Sequence, residues 1–246
     1  MAIQAAAGLL FQGVYRDVAW IKAAWFGNDI VTLLVVVPLL AAGLLLAARG
    51  SVRGRLLWLA GLGYGVYNYG YYALGAQLNV LFPLFIAAFV LSMWTLAVTL
   101  AATDVQALAA RFSGRTPVRS VAGYMVFTGV GLALAWIAQW AAYVFGGTVP
   151  SIGEGPFRLV AAMDLSLMVP LFCVGAMLLW RKRSWGYVLG GIAIVQGAAY
   201  TLVLTISSVI GGLRGVAGSM EQAPVWAVWT LAGVAAAVAL MWKVER

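Results

Sequence analysis

Seven runs of mostly apolar residues, at about 30–48, 55–75, 79–102, 119–146, 159–181, 184–212 and 223–243, leave only short links between them. Crossing a hydrocarbon core of about 30 Å takes roughly 20 apolar residues of helix. Inside lipid, every backbone polar group must find a partner within the protein, which restricts a spanning chain to helices or a closed barrel. Hydrophobic residues make up 64% of the chain and charged residues 9%, whereas a soluble domain carries about a quarter charged. No soluble core absorbs that surplus. The expected fold is therefore all-α: a polytopic membrane bundle of seven transmembrane helices over 29–246, preceded by an extracytoplasmic interfacial segment over 1–28.

Charge placement predicts the orientation. Arg49, Arg53, Arg55, Arg111, Arg115, Arg119, Arg181, Lys182 and Arg183 fall in or beside alternate links, and Lys243 and Arg246 follow the last run. The opposite side carries Arg16, Lys22, Arg158 and Arg214. By the positive-inside rule the N-terminus lies outside and the C-terminus in the cytoplasm. The net charge of +8 thus needs no nucleic-acid partner, and it favours anionic lipid head groups. The link 111–119 reads as a basic loop facing lipid. In 1–28, Leu10, Val14, Val18, Ile21 and Trp25 recur at helical spacing, which suggests a helix in the outer interface or a lid over the bundle. Asn28-Asp29 then reads as the N-cap of the first membrane helix.

Residues 29–69 and 161–201 carry the same punctuation without a gap. Val37-Pro38-Leu39 matches Val169-Pro170-Leu171, and Leu33, Gly43, Leu46, Arg49, Gly54, Leu57 and Gly65 meet Leu165, Gly175, Leu178, Arg181, Gly186, Leu189 and Gly197. The expected arrangement is a three-plus-one-plus-three parallel repeat. Repeats assembled about an axis along the membrane normal place substrate sites near mid-bilayer at their interface. Pro38 and Pro170 would act as hinges, kinking helices one and five and freeing backbone carbonyls beside that axis.

Several chemistries are excluded. With no histidine there is no His-ligated haem or metal and no histidine base. Cys173 stands alone, so no intrachain disulfide or iron–sulfur ligation is available. Lys22, Lys182 and Lys243 lie at or beyond helix ends, which removes a retinal Schiff base. No metal and no cofactor is expected.

Six of the seven acidic residues are expected in loops or helix ends, leaving Asp164 inside the bilayer, roughly 25 Å from the cytoplasmic boundary at 1.5 Å per residue. An intramembrane carboxylate faces the bundle interior by default. Tyr64, Tyr67, Asn68, Tyr71 and Tyr72 share one face of helix two, with Tyr69 off it. Helix six adds Gln196, Tyr200 and Ser207 on one face. The repeat pairs Tyr64 with Gln196, Asn68 with Tyr200 and Thr32 with Asp164. Asp164, Asn68, Tyr64, Tyr67, Tyr71, Gln196, Tyr200 and Thr32 are accordingly the expected ligand-binding residues, lining a wet hollow that opens outward. Trp136 and Gln139 would roof it, and Trp94 either lines it or packs in the core.

The runs Tyr67-Asn68-Tyr69, Asp164-Leu165 through Pro170, and Trp180 through Trp185-Gly186-Tyr187 resemble those of uncharacterised bacterial seven-helix membrane proteins, which implies a fold and no activity. The repeat and the outside N-terminus are also similar to the SWEET and PQ-loop transporters, which share a proline in helices one and five. Leu39 and Leu171 stand here where that motif has glutamine, and helices two and six lack proline, so the likeness is one of architecture.

Three functions follow as expectations. The first is small-molecule transport or ligand binding at the intramembrane site. The second is a sensor or accessory subunit whose polar residues join helices, with a homo-oligomer or membrane-complex partner. The third is a membrane enzyme, an isoprenoid or lipid cyclase or isomerase, using Asp164 as general acid on a lipophilic substrate. Membrane lipids are expected partners and the bacterial cell inner membrane the expected location.

Overall fold

A computed structural model describes residues 1–242 and 244, and those residues contain helices and no strand. The expected basic C-terminal end at Lys243 and Arg246, like the acid at Glu245, lies outside the described residues. The helices are α1 (Ala2–Leu10), α2 (Ala19–Ala48), α3 (Val52–Gly75), α4 (Phe82–Ala101), α5 (Val105–Ala110), α6 (Val118–Gly146), α7 (Glu154–Trp180), α8 (Ser184–Leu213) and α9 (Ser219–Met241).

Six of them, α2, α4, α6, α7, α8 and α9, are long and apolar enough to cross a membrane. The missing member of the expected seven is α3, which has the length (24 residues) but not the apolarity. Its composition has a packing reason. Fifteen of its residues are buried, among them Tyr64, Tyr67, Asn68, Tyr69, Tyr71 and Tyr72, and α2, α4 and α8 pack against it. A helix sheltered by its neighbours has little lipid to satisfy, so its polar groups need protein partners instead of an apolar surface. Tyr69, expected off the buried face, is also fully buried, because α1 covers the side of α3 that would otherwise be free.

The N-terminal region departs from expectation. Helix α2 begins at Ala19, ahead of the expected start at 29, so the stripe from Leu10 to Trp25 is not one helix. Leu10 and Val18 are exposed while Trp25 is buried. Tyr15 to Val18 break the helical run, and Asp17 ties the break down by accepting from Trp25 Nε1 (3.0 Å) and from the Gln77 amide (3.2 Å). Helix α1 folds back onto α2 and buries Gln4, Ala5 and Gly8. Asp29, expected as a cap, lies well within α2 and is completely buried. The apolar run simply continues upstream through Ala23, Trp25 and Phe26, which carries the helix past the polar pair that would have started it.

Helices α2 and α7 share an irregularity. Each contains one wide π-turn, over Thr32–Val36 and over Asp164–Met168, and each π-turn is followed by Val-Pro. Proline has no amide to donate and its ring collides with the carbonyl four residues back. Inserting one residue into the preceding turn relieves that collision, and such bulges recur at functional sites. The two π-turns lie 132 positions apart, the offset of the sequence repeat (164 − 32).

The following hairpins match at the same offset. Ser51 N donates to Leu46 O (3.0 Å) and Arg183 N to Leu178 O (2.9 Å). Gly50 N donates to Ala47 O and Lys182 N to Leu179 O, both at 2.9 Å. Gly50 and Lys182 are both left-handed, with φ of 81° and 51°. Gly54 and Gly186 let the paired helices touch: a Cβ on either would sit 2.5 and 2.2 Å from the amide nitrogens of Ala47 and Leu179.

The links predicted to be cytoplasmic gather at one end of the bundle. Arg53 Nη2 donates to the carbonyls of Trp242 (2.8 Å) and Val244 (3.1 Å). Leu108 of α5 packs with Leu56, Leu59, Val188 and Ile192, and Phe112 lies 4.5 Å from the Tyr187 ring.

Candidate functional site

Two buried carboxylates organise the polar interior. Asp164 opens the π-turn of α7, so its side chain projects from a stretch where the helix is widened. Its Oδ1 accepts a short hydrogen bond from the Tyr67 hydroxyl of α3. Its Oδ2 accepts from Trp136 Nε1 of α6 at 2.7 Å. Tyr67 and Tyr71 are one turn apart, and their hydroxyls meet at 3.0 Å. The Tyr200 ring of α8 stands edge-on to Tyr67 (4.8 Å between centroids) and stacks with Tyr71 (6.0 Å). Helices α3, α6, α7 and α8 thus converge on one carboxylate, and neither of its donors is a cation.

The expected site residues fall into two groups. Asp164, Tyr67, Tyr71 and Tyr200 form the cluster just described. One turn deeper on α3, Tyr64 and Thr32 share a hydroxyl contact at 2.9 Å, and Asn68 Nδ2 reaches Thr32 Oγ1 at 3.4 Å. Asn68 is fully buried and its Oδ1 has no partner. Gln196 meets Met168 Sδ at 3.2 Å through Nε2, and its Oε1 lies over Gly63, where a Cβ would be 2.6 Å away. Ser207 sits against α2, near Gly27.

The expected open hollow is filled by these side chains: Tyr64, Tyr67, Asn68, Tyr71, Thr32, Gln196 and Asp164 are each no more than 5% exposed. Tyrosine rings close the space because edge-to-face and stacked contacts pack them tightly. Of the two residues expected to roof that hollow, Trp136 instead bonds Asp164 directly through Nε1, and Gln139 is exposed and bonds its own helix at Ala135 O. Trp94 is 63% exposed and lines nothing in the interior. Shallow surface depressions lie elsewhere, beside Phe11, Arg16 and Val80, and between Thr116 and Lys182.

The second carboxylate escaped the sequence reading. Asp29 Oδ1 accepts from Gln4 Nε2 (3.0 Å) and the Tyr72 hydroxyl (2.7 Å), and Oδ2 accepts from the Tyr15 hydroxyl (2.6 Å). Tyr69 donates to Gln4 Oε1 at 2.7 Å, which orients that amide. Burial first, and the Asp29 carboxylate second, push the Tyr15 phenol above its ordinary range, so it remains a donor. The signal that would have revealed Asp29 is the apolar helix already under way from Ala19.

Among the described residues no three His, Cys, Asp or Glu side chains converge as a metal site would require. What the arrangement offers is a carboxylate held by neutral donors in a water-poor setting, where a hydrogen-bonding or proton-bearing partner would be strongly discriminated. No family model matches the chain, and neither a curated protein nor a solved structure matches it. The six apolar helices make it a multi-pass membrane protein.

Proposed function

We propose that this is a small-solute carrier, or a solute-binding relative of one, captured with its site closed. In this reading α3 is a seventh span, the N-terminus is outside, the C-terminus is cytoplasmic, and the bacterial inner membrane is its home. The two halves, α2–α4 and α7–α9, are copies of one unit joined by α6. The paired π-turns before Pro38 and Pro170, and the paired hairpins, support that ancestry. The site is Asp164 with Tyr67, Tyr71, Tyr200 and Trp136, and the deeper Thr32–Tyr64–Asn68 group and Gln196 extend it toward mid-bilayer.

One observation carries the proposal. Asp164 belongs to the second half, yet it accepts hydrogen bonds from Tyr67 of the first half and Trp136 of the connecting helix. A solute hydrogen-bonding to Asp164, or a proton placed on it, competes with those donors and so alters the contact between halves. Differential binding to two arrangements is what shifts a conformational equilibrium, and rocking of repeats about a fixed site is how many carriers alternate.

The test uses the full chain in proteoliposomes with an inward proton gradient, incubated with a bacterial metabolite extract and analysed by mass spectrometry. At least one small polar solute should accumulate with the wild type and not with Asp164→Asn or protein-free vesicles, and Tyr67→Phe should slow its entry. If no solute separates wild type from Asp164→Asn, the carrier reading is wrong.

A further inference from the structure

The cytoplasmic end holds a second, unrelated feature. The 29-residue helix α6 starts after Pro117, which offers no side-chain cap. Val118 N donates to Thr116 O (2.8 Å) and Val121 N to Pro117 O (3.1 Å). The amides of Arg119 and Ser120, between them, have no intrahelical acceptor. Those amides and the positive end of a long helix dipole form the kind of surface that holds anions.

Independent observations make this more than a helix end. The α6 start borders a hollow of about 240 Å³ lined by Thr116, Pro117, Val118, Arg119, Ser120 and Lys182, with no acidic residue in its wall. Thr116 is only 7% exposed, and its hydroxyl oxygen has no hydrogen-bond partner. A buried hydroxyl without a partner is costly, and an anion entering the hollow beside it supplies an acceptor.

Lys182 approaches from the α7–α8 hairpin. Among the described residues it is the one non-glycine with a positive φ, 51°, whereas the matching hairpin between α2 and α3 has Gly50 in that position. A lysine there adds a cation at the expense of backbone comfort. Arg119, Ser120 and Lys182 are all exposed and free to turn toward a ligand.

We propose that this hollow binds a phosphate-bearing anion, through the Arg119 and Ser120 amides, the Thr116 hydroxyl, and the Arg119 and Lys182 side chains. Free phosphate and a phospholipid head group present the same chemistry.

The experiment takes the full chain in neutral maltoside micelles and follows its unfolding midpoint while titrating sodium phosphate, or dihexanoyl phosphatidic acid below its own micelle concentration. Sodium chloride at equal ionic strength is the control. The wild type should be stabilised beyond that control by at least one probe. A response to phosphate marks a free-anion site, and a response to phosphatidic acid alone marks a head-group site. Lys182→Gly should weaken the apparent affinity about tenfold, and Thr116→Val should weaken it several-fold. Without probe, Lys182→Gly should unfold at the same or a higher temperature, since glycine accepts the left-handed turn. Arg119→Gln gives the same reading if Lys182→Gly fails to fold. If neither probe exceeds the chloride control, or the variants respond with wild-type affinity, the site does not exist.

Discussion

Asp29 and Asp164 are both buried acids on π-bulged helices, yet their surroundings differ in kind. Asp29 is saturated: Gln4, Tyr15 and Tyr72 each donate to it, and Gly8 presses so close that a Cβ there would lie 2.1 Å from Oδ2. Its donors come from the N-terminal segment and from α3, so the carboxylate fastens α1 to the bundle. Asp164 has two donors, and these come from two further helices, α3 and α6. It also sits where α7 is already widened, with Leu165, Ser166 and Leu167 beside it exposed. A fully satisfied acid resists change, and a partly satisfied one at a helix irregularity can exchange partners. Under the proposed function, the contrast separates a structural carboxylate, Asp29, from the one assigned to the site, Asp164.

The largest effect that could break this contrast is expected at Asp29. Asp29→Ala removes the acceptor shared by three buried donors, leaving the Tyr15 hydroxyl without one while Gln4 and Tyr72 keep Tyr15 Oη and Trp25 O. It should lower stability by about 3 kcal/mol, read as a lower unfolding midpoint in detergent. If Asp164→Ala cost the same, the two acids would not differ as argued. Next comes Gly8→Ala, whose added carbon meets both Asp29 Oδ2 and the Tyr15 hydroxyl, the latter at 2.4 Å. Overpacking of that kind costs about 1–3 kcal/mol, and Gly13→Ala, with open space around it, is the matched control. Tyr15→Phe removes one donor and should cost about 1.5 kcal/mol in the same measurement. The smallest stability effect belongs to Asp164→Asn, about 1 kcal/mol, because the amide keeps the shape and an acceptor oxygen. Solute uptake should nevertheless vanish in that variant. Retained uptake there would move the working role away from Asp164.

The helical bundle could be foreseen because apolar run length and charge alternation are local properties of the chain. The polar face of α3 was equally legible, since Tyr64, Tyr67, Asn68 and Tyr71 recur at helical spacing. Asp164 stood out as an acid within an apolar run. Asp29 did not, because Asn28-Asp29 looks like a cap when α2 is started too late. Gln4 and Tyr15 carried no signal at all. Their importance comes from α1 folding back across 25 residues of sequence to reach Asp29, and nothing in a short window encodes such a return. The expectation of an open cavity failed for a related reason. Polar residues on facing helices predict convergence, but ring orientation decides whether they leave space or fill it.

By itself the sequence determined the solvent of this protein, the all-helical character and order of its six long apolar helices, and the two proline-marked positions where α2 and α7 depart from ideal geometry. Each of those follows from backbone hydrogen bonding in lipid and from proline's missing amide. Only the tertiary structure decided which donors reach which carboxylate, and that Lys182 stands beside the start of α6. Hydrogen bonds and charge contacts act over a few ångströms, so residues far apart in the chain acquire partners only when the helices have packed.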